Sequence, residues 1–460
     1  MQQQPRLPLW FLVANWALVV AAFFLGVMLG RRGKLQLPEP QATALQLIHA
    51  EILQSHVDPH DGHELLDVAI GAMVHGLDNY SMYVPPSRVA AYDEDNSGHY
   101  EGVGLLMTQQ GDDIVVQYPF PGGPADRAGV LPGDRLVAVD GVLLAAEPPA
   151  QRNDAASRLV RGEAGTEVHL RVARDDGIVE MAMQRSDVQT SAVKWAHFAD
   201  PEAGLGYVHL SDFQPSISDR ITAALTELRQ QHELNGLVLD LRADGGGSLD
   251  ECVSLARTFL RRGTIVTVRR RGSEVVEAFE AKPESCEYPD LPLVLLVDQQ
   301  SASASEVLAG ALQDHGRAAI VGARTFGKGF VNTAYTWKGL DFRLRLTTAH
   351  YYTPNGRDLD SHLKGPRTPA NSTPAVPETG GIVPDVAVEI GANARQRVQA
   401  VLKNPEPPAK HLAAFTAVAA RYGFDVPAPP SAATDVQLAQ ALATLRERVV
   451  AARERAPEAR

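Results

Sequence analysis

The chain has 460 residues, 45% of them hydrophobic and 21% charged. That is more than one hydrophobic core accommodates, so two or three domains are expected. The formal net charge is −12, and the 43 basic residues are scattered among 55 acidic ones. No Lys/Arg run forms a nucleic-acid footprint, and an acidic surface disfavours anionic polymers as substrates. The two cysteines, Cys252 and Cys286, sit in no CxxC pair and near no His cluster, which argues against zinc. Their spacing leaves open one disulfide in an oxidising compartment or two free thiols.

In chain order, residues 9–29 come first. They are apolar except for Asn15, with Trp10 near one edge. Such a run spans a bilayer as a helix. A cleaved signal peptide is the competing reading, but the run exceeds a usual apolar signal region and no A-x-A site follows. Arg31, Arg32 and Lys34 follow the run, while only Arg6 and the amino terminus precede it. By the positive-inside rule these charges put the bulk of the chain in the cytoplasm.

Residues 41–95 read as helical, with Leu45, Ile48, Ile52 and Leu53 at helical spacing and a second helix from residue 63 to 77. His56, His60 and His63 lie between the helices and read as solvated loop residues rather than metal ligands. From residue 97 the pattern changes to short strands at 103–107, 114–118, 136–139 and 168–173, a short helix at 153–160, and turns at Gly122–Gly123–Pro124 and Pro132–Gly133–Asp134. Residues 188–390 alternate buried strands with helices: strands at 237–239, 293–297, 320–321 and 342–346, helices at 249–260 and 304–314. That alternation builds an α/β layer. Residues 361–381 are Pro/Thr/Ser/Gly-rich loop and contain an Asn371-Ser372-Thr373 sequon. The tail is helical. Leu438, Leu442, Leu445 and Val449 make one apolar stripe with Thr434 as expected N-cap, and the stripe serves either its own domain or a dimer.

Three segments carry chemistry. Ser303 stands between a buried strand and a helix, beside unpaired N–H groups that suit an oxyanion. The same run, with Glu306 three positions on, also reads as a plain capping box. Lys328 lies between Gly327 and Gly329. Burial beside Phe326 and Phe330 would disfavour its charged form and make it a general base. No P-loop pattern precedes it. The Asp240–Gly247 segment ends in three glycines, which allow close backbone approach or simply a strand-to-helix turn. His315 and His350 attach to no nucleophile elbow.

In their shared order these segments resemble the carboxyl-terminal processing proteases, the tail-specific S41-type serine peptidases. The resemblance covers residues 41–390 and rests on stretches at 77–84, 121–141, 158–172, 206–213, 237–249, 301–318, 325–329 and 344–356. It implies a multidomain α+β chain. The expected layout is a membrane anchor at 1–35, a helical segment at 36–96, a PDZ domain at 97–187, an α/β, crotonase-like protease core at 188–390, and a helical tail at 391–460. It implies Ser303 as nucleophile and Lys328 as base. The backbone N–H groups of Gly247 and Ala304 would form the oxyanion hole, and Gly102, Val103, Gly104 and Leu105 the loop that binds a substrate's terminal carboxylate. The substrates implied are proteins with free C-termini in the cell envelope. The location implied is the periplasmic face of a bacterial inner membrane, opposite to the flanking charges. A helical-repeat adaptor and a homo-oligomer are further possible partners, and no metal or organic cofactor is implied. Two positions depart from the family pattern. Asn332 replaces the glutamine that orients the lysine, which opens the alternative of a weakly active or inert PDZ scaffold. Asp244-Gly245 stands where Asn-Pro is common.

Overall fold

The computed structural model describes residues 37–89, 92–93, 99–175, 177–189, 191–270, 272, 275–360, 380–403 and 406–455. The apolar run at residues 9–29 and the sequon at 371–373 lie outside them. No helix among the described residues is long and apolar enough to cross a membrane. The chain divides into two compact units, residues 1–73 and 74–460.

In the first unit, α1 (Glu39–Ser55) starts with Pro40 in its first turn, where a missing N–H costs nothing. It meets the start of α2 (Gly62–His75) through His49 Nε2, 2.9 Å from the Gly62 carbonyl oxygen. His60 Nε2 lies 2.9 Å from His56 Nδ1, and among the described residues no three His, Cys, Asp or Glu side chains come together as metal ligands would.

The described residues of the second unit form four sheets. Residues 82–84, expected in a helical segment, form β1 (Met82–Val84) instead. The expected strands and helix of the β-rich region follow. They are β2 (His99–Gly102), β3 (Leu105–Gln110), β4 (Asp113–Pro119), the short α3 (Pro124–Arg127), β5 (Arg135–Val139), β6 (Val142–Leu143), α4 (Arg152–Val160), β7 (Glu167–Arg174), β8 (Gly177–Gln184) and β9 (Ser186–Gln189). The sheet β3-β4-β5-β7-β8 leaves β3 at its edge, beside α4. Its core contains Val103, Ile114, Val116, Leu136, Val168 and Leu170, all buried. β2 pairs only with β9 among the described strands.

The α/β layer follows: β10 (Val193–Asp200), β11 (Leu205–Leu210), α5 (Ile217–Gln231), β12 (Gly236–Asp240), α6 (Leu249–Phe259), β13 (Thr264–Arg270), β14 (Val275–Glu280), β15 (Leu293–Val297), α7 (Ala304–Asp314), β16 (Ala319–Gly322), β17 (Phe330–Trp337), β18 (Leu340–Tyr352) and β19 (Val386–Ala387). One sheet runs β10-β11-β12-β15-β16-β19, parallel from β11 onward. Every residue of β11, β12 and β15 is buried, as a parallel sheet covered on both faces requires. α5, α6 and α7 cover one face through Ile221, Leu225, Leu255 and Leu308. The second sheet is built on β18, which pairs with β1, β13 and β17. β18 runs 13 residues, well beyond the expected 342–346, because three neighbouring strands share its backbone groups.

The tail holds α8 (Ala392–Lys403), α9 (Leu412–Tyr422) and α10 (Val436–Arg455). α10 covers the other face of the parallel sheet. Leu438, Leu442, Leu445 and Val449 pack there on Tyr207, Val238, Val294 and Leu296, so the stripe serves its own chain. Its N-cap is Asp435, not Thr434: Asp435 Oδ1 accepts the N–H groups of Gln437 and Leu438, each at 3.1 Å. α9 lies on β4, with Phe415 edge-on to Tyr118 at 5.5 Å. Lys410 Nζ meets Asp126 Oδ1 at 2.7 Å nearby. Both thiols are free; Cys252 donates to the Ala304 carbonyl at 3.1 Å from within the core.

Candidate active site

β11, β12, β15 and β16 are parallel neighbours, so their carboxyl ends lie side by side and open into adjoining loops. That edge of an open α/β sheet is where ligand sites form. The loop after β11 brings Asp212 and Phe213, that after β12 the glycine run, that after β15 Ser303, and that after β16 Lys328. All border one cleft of about 890 Å³, together with Asn332 and Arg345 from the second sheet.

Ser303 has φ 56° and ψ −112°, a backbone state that L-residues rarely adopt. The turn is sharp because α7 starts immediately after it. Glu306 locks it: Oε2 accepts the Ser303 N–H at 2.9 Å and the Lys328 N–H at 2.8 Å. Oε1 accepts the Thr325 hydroxyl and the Gly327 N–H, each at 2.6 Å. Glu306 is fully buried, and burial raises its carboxyl even though these four donors pull the other way. The sequence marks Glu306 as a capping residue; its second role, joining the serine loop to the lysine loop 22 positions on, leaves no local signature.

The glycine run packs against Ser303. A Cβ on Gly246 (φ 101°) would lie 2.7 Å from the Ala302 carbonyl oxygen and 2.8 Å from Ser303 Cβ. One on Gly247 (φ 145°) would lie 2.6 Å from the Phe213 carbonyl oxygen. Glycine is required at both points. Asp298 Oδ1 ties the loops further, accepting from Ala243 at 3.1 Å and Ser301 at 3.2 Å. Arg242, fully buried, holds Asp240 at 2.6 Å and Asp435 at 2.7 Å, so the loop is also fastened to the start of α10.

Lys328 is half-buried. Burial lowers its basicity, Arg345 lowers it again, and Glu306 opposes both. Its Nζ stands 5.6 Å from the centre of the Tyr80 ring, which in turn lies 5.3 Å from the Phe330 ring. Phe330 lines the cleft as expected. Tyr80 comes from a segment before β1, and no local sequence pattern marks it as part of the site. Its hydroxyl is pushed up to about 12 by burial and by Asp360, Glu306 and Asp78.

Ser303 and Lys328 share the cleft, but among the described residues no hydrogen bond joins Ser303 Oγ to Lys328 Nζ, and none joins Nζ to Asn332. The Asn332 amide nitrogen instead donates to Thr347 Oγ1 at 3.2 Å. Thr347 gives its one hydroxyl proton to Asp78 Oδ1 at 3.1 Å. Asp78 is held below the usual carboxylate range: burial alone would raise it, but the N–H of Tyr80 and the Ser81 hydroxyl and N–H outweigh that. A carboxylate only accepts, so Thr347 can only accept from Asn332, and the Asn332 carbonyl oxygen is left for another donor.

In the β-rich region, Val103 is fully buried and its carbonyl accepts from Ala125 at 2.9 Å. Gly104 has φ 75°, and its carbonyl accepts from Phe120 at 2.9 Å. Gly102 bridges to Arg161 just after α4, and Leu105 opens the edge strand β3. The four residues therefore link β2 to the edge strand β3 and lie beside the end of α4.

Residues 204–387 match the family described as Peptidase family S41, and residues 115–174 match the PDZ domain. A carboxy-terminal-processing protease of Bartonella bacilliformis is 33% identical over 347 residues, covering 74% of each chain. A probable CtpA-like serine protease of Staphylococcus haemolyticus is 31% identical over 66% of this chain and 59% of its own length. Among solved structures, a photosystem II D1 C-terminal processing protease is 31% identical, with a TM-score of 0.42, covering 75% of this chain and 86% of that one.

Proposed function

The chain belongs to the carboxy-terminal-processing proteases of peptidase family S41, and from that premise we propose that it is an endopeptidase working through a Ser303–Lys328 dyad. The observation that carries the reading is the Glu306 carboxylate, which binds the backbone of both residues and fixes them at one cleft. Neutral Lys328 takes the Ser303 hydroxyl proton as Oγ attacks a peptide carbonyl. The N–H groups of Gly247 and Ala304 receive the developing oxyanion. Lys328, now charged, returns the proton to the leaving amine, and water then releases the acyl group by the same route. The free carbonyl oxygen of Asn332 is the acceptor that orients the amine once substrate closes the site. Catalytic hydrogen bonds are often long before substrate binds.

The substrate's C-terminal strand adds to the edge of β3, with its carboxylate on the N–H groups of Gly102–Leu105 and its side chains toward α4. We assign 97–187 to this module and 188–390 to the protease core, bounds that enclose the matched residues 115–174 and 204–387. The substrates are cell-envelope proteins with free C-termini. Residues 9–29 anchor the chain in the bacterial inner membrane with the catalytic part in the periplasm, and a reporter fused to the C-terminus tests that orientation. A helical-repeat adaptor or a second copy remains a partner to seek by copurification.

The decisive assay is cleavage of unfolded casein by the purified chain, Ser303→Ala and Asn332→Gln. Turnover that disappears in S303A supports the dyad; turnover that survives there refutes it. A second reading, an inert PDZ scaffold, is favoured by the missing Ser303–Lys328 hydrogen bond. It holds if terminal peptides bind but neither wild type nor N332Q cleaves.

A further inference from the structure

Asp244 lies in the middle of the loop after β12 and is fully buried. Its backbone carbonyl accepts the Ala302 N–H at 3.0 Å and the Ser305 hydroxyl at 3.1 Å. Those two residues flank Ser303 and Ala304. Its side chain accepts the Gly246 N–H through Oδ1 at 2.8 Å. Asp244 therefore pins the glycine turn against the serine loop from behind. Its Oδ2 is buried and takes no partner among the described residues.

The groups facing this carboxyl are themselves acidic: Asp212 from the loop after β11, Asp298 from the loop after β15, and the Cys252 thiol from α6. On its own loop the Arg242 guanidinium is turned away, engaged by Asp240 and Asp435. A charged carboxylate held by one backbone N–H and a Ser305 hydroxyl that it shares with its own carbonyl, with one empty oxygen and no cation, is costly to bury. It would also stand directly behind N–H groups that must receive negative charge.

We propose that Asp244 is a positioning residue that holds the oxyanion turn as an uncharged acid, so that its ionisation shuts down turnover on the alkaline side. The inference rests on the Ser303–Lys328 reading. Burial, with Asp212 and Asp298 adding to it, pushes the Asp244 carboxyl well above the usual range against the Gly246 and Ser305 hydrogen bonds. Turnover then needs two neutral groups at once. The acid limb reports loss of the proton from Lys328, and the alkaline limb loss of the proton from Asp244.

The test is the pH profile of casein cleavage by the full chain carrying Asp244→Asn or Asp244→Ala. Asparagine is a neutral isostere, so D244N should fold, keep kcat near neutrality within about threefold, and lack the alkaline limb. D244A removes the acceptor of the Gly246 N–H and should lose about a hundredfold in kcat with KM little changed. Separately from turnover, ¹³C NMR of aspartate carboxyls should show one signal that stays protonated through neutral pH and is missing in D244N. A D244N that unfolds, that keeps the alkaline limb, or that removes no such signal overturns the proposal. The NMR readout stands even if S303A shows the dyad to be wrong, so the two failures are separable.

Discussion

Replacing Glu306 by Gln tests the junction between the two loops. Glu306 accepts two donors on each oxygen. An amide keeps only one accepting oxygen. If its NH₂ faced the Ser303 and Lys328 N–H groups, both would be stranded. The better placement puts NH₂ at the Oε1 position, where the Thr325 hydroxyl can turn and accept. Gly327 N–H then loses its partner. The Thr325 hydroxyl, turned to accept from the amide while it still accepts the Ile382 N–H, also loses the acceptor of its own proton, and two unmet buried donors cost about 2–6 kcal/mol. That should appear as a lower urea midpoint of the protease core. It also lets the lysine loop drift, and a shift near 1 Å costs on the order of a hundredfold in kcat. The pH response separates this from general damage. Glu306 raises the basicity of Lys328, so removing its charge lowers the amine's folded-state pKa. The acid limb of kcat should move to lower pH while the plateau falls. An E306Q protein with unchanged midpoint and kcat, or with its acid limb moved upward, refutes the reasoning.

Arg345→Gln should do the opposite. Arg345 depresses the Lys328 amine, so its loss favours the ammonium and the acid limb moves to higher pH with little change in the plateau, read from the same casein profile. Gly246→Ala should abolish most turnover without unfolding the chain. Its Cβ would press the Ala302 carbonyl and Ser303 Cβ, and a loss of at least about a hundredfold in kcat is expected; near-normal turnover would show that the glycine turn does not form the oxyanion hole.

Much of this was legible along the chain because it is written locally. The strand at 293–297 and the helix at 304–314 agree with the structure residue for residue, since an all-apolar run followed by Ser-Ala-Ser-Glu specifies a buried strand and a capped helix. Ser303, Lys328 and the glycines stood out for the same reason. What stayed hidden is non-local. Met82–Val84 becomes a strand only because β18 offers it an edge. Tyr80 matters through a ring 5.6 Å from an amine that lies far along the sequence. Asp435 takes the cap that Thr434 was expected to hold because Arg242 anchors the same carboxylate. The Asp244 carboxyl is pushed up by burial and by acids from two other segments. Pairing and burial decide each of these, and neither has a period or a spacing.

The site also shows how hydrogen-bond count sorts buried charges. Burial raises both carboxyls, but Glu306 has four donors to set against it where Asp244 has only the Gly246 N–H and a shared Ser305 hydroxyl; Lys328 Nζ has no acceptor among the described residues, and burial lowers its basicity. In the proposed dyad Lys328 must nonetheless hold a proton during attack, when Ser303 Oγ has given it up. Two features help only then: the Glu306 carboxylate and the Tyr80 ring face. Tyr80 stays un-ionised, its hydroxyl pushed up to about 12, so it acts through its π-face rather than as a base. Tyr80→Leu keeps the apolar cover and removes the quadrupole. A cation–π contact in a desolvated site is worth about 0.5–2 kcal/mol, which converts to a loss of roughly two- to thirtyfold in kcat. KM should hold, because substrate binding leaves the amine neutral. If Y80L kept kcat and raised KM instead, the ring would be a substrate contact, and stabilisation of the transient ammonium would have to come from Glu306 alone.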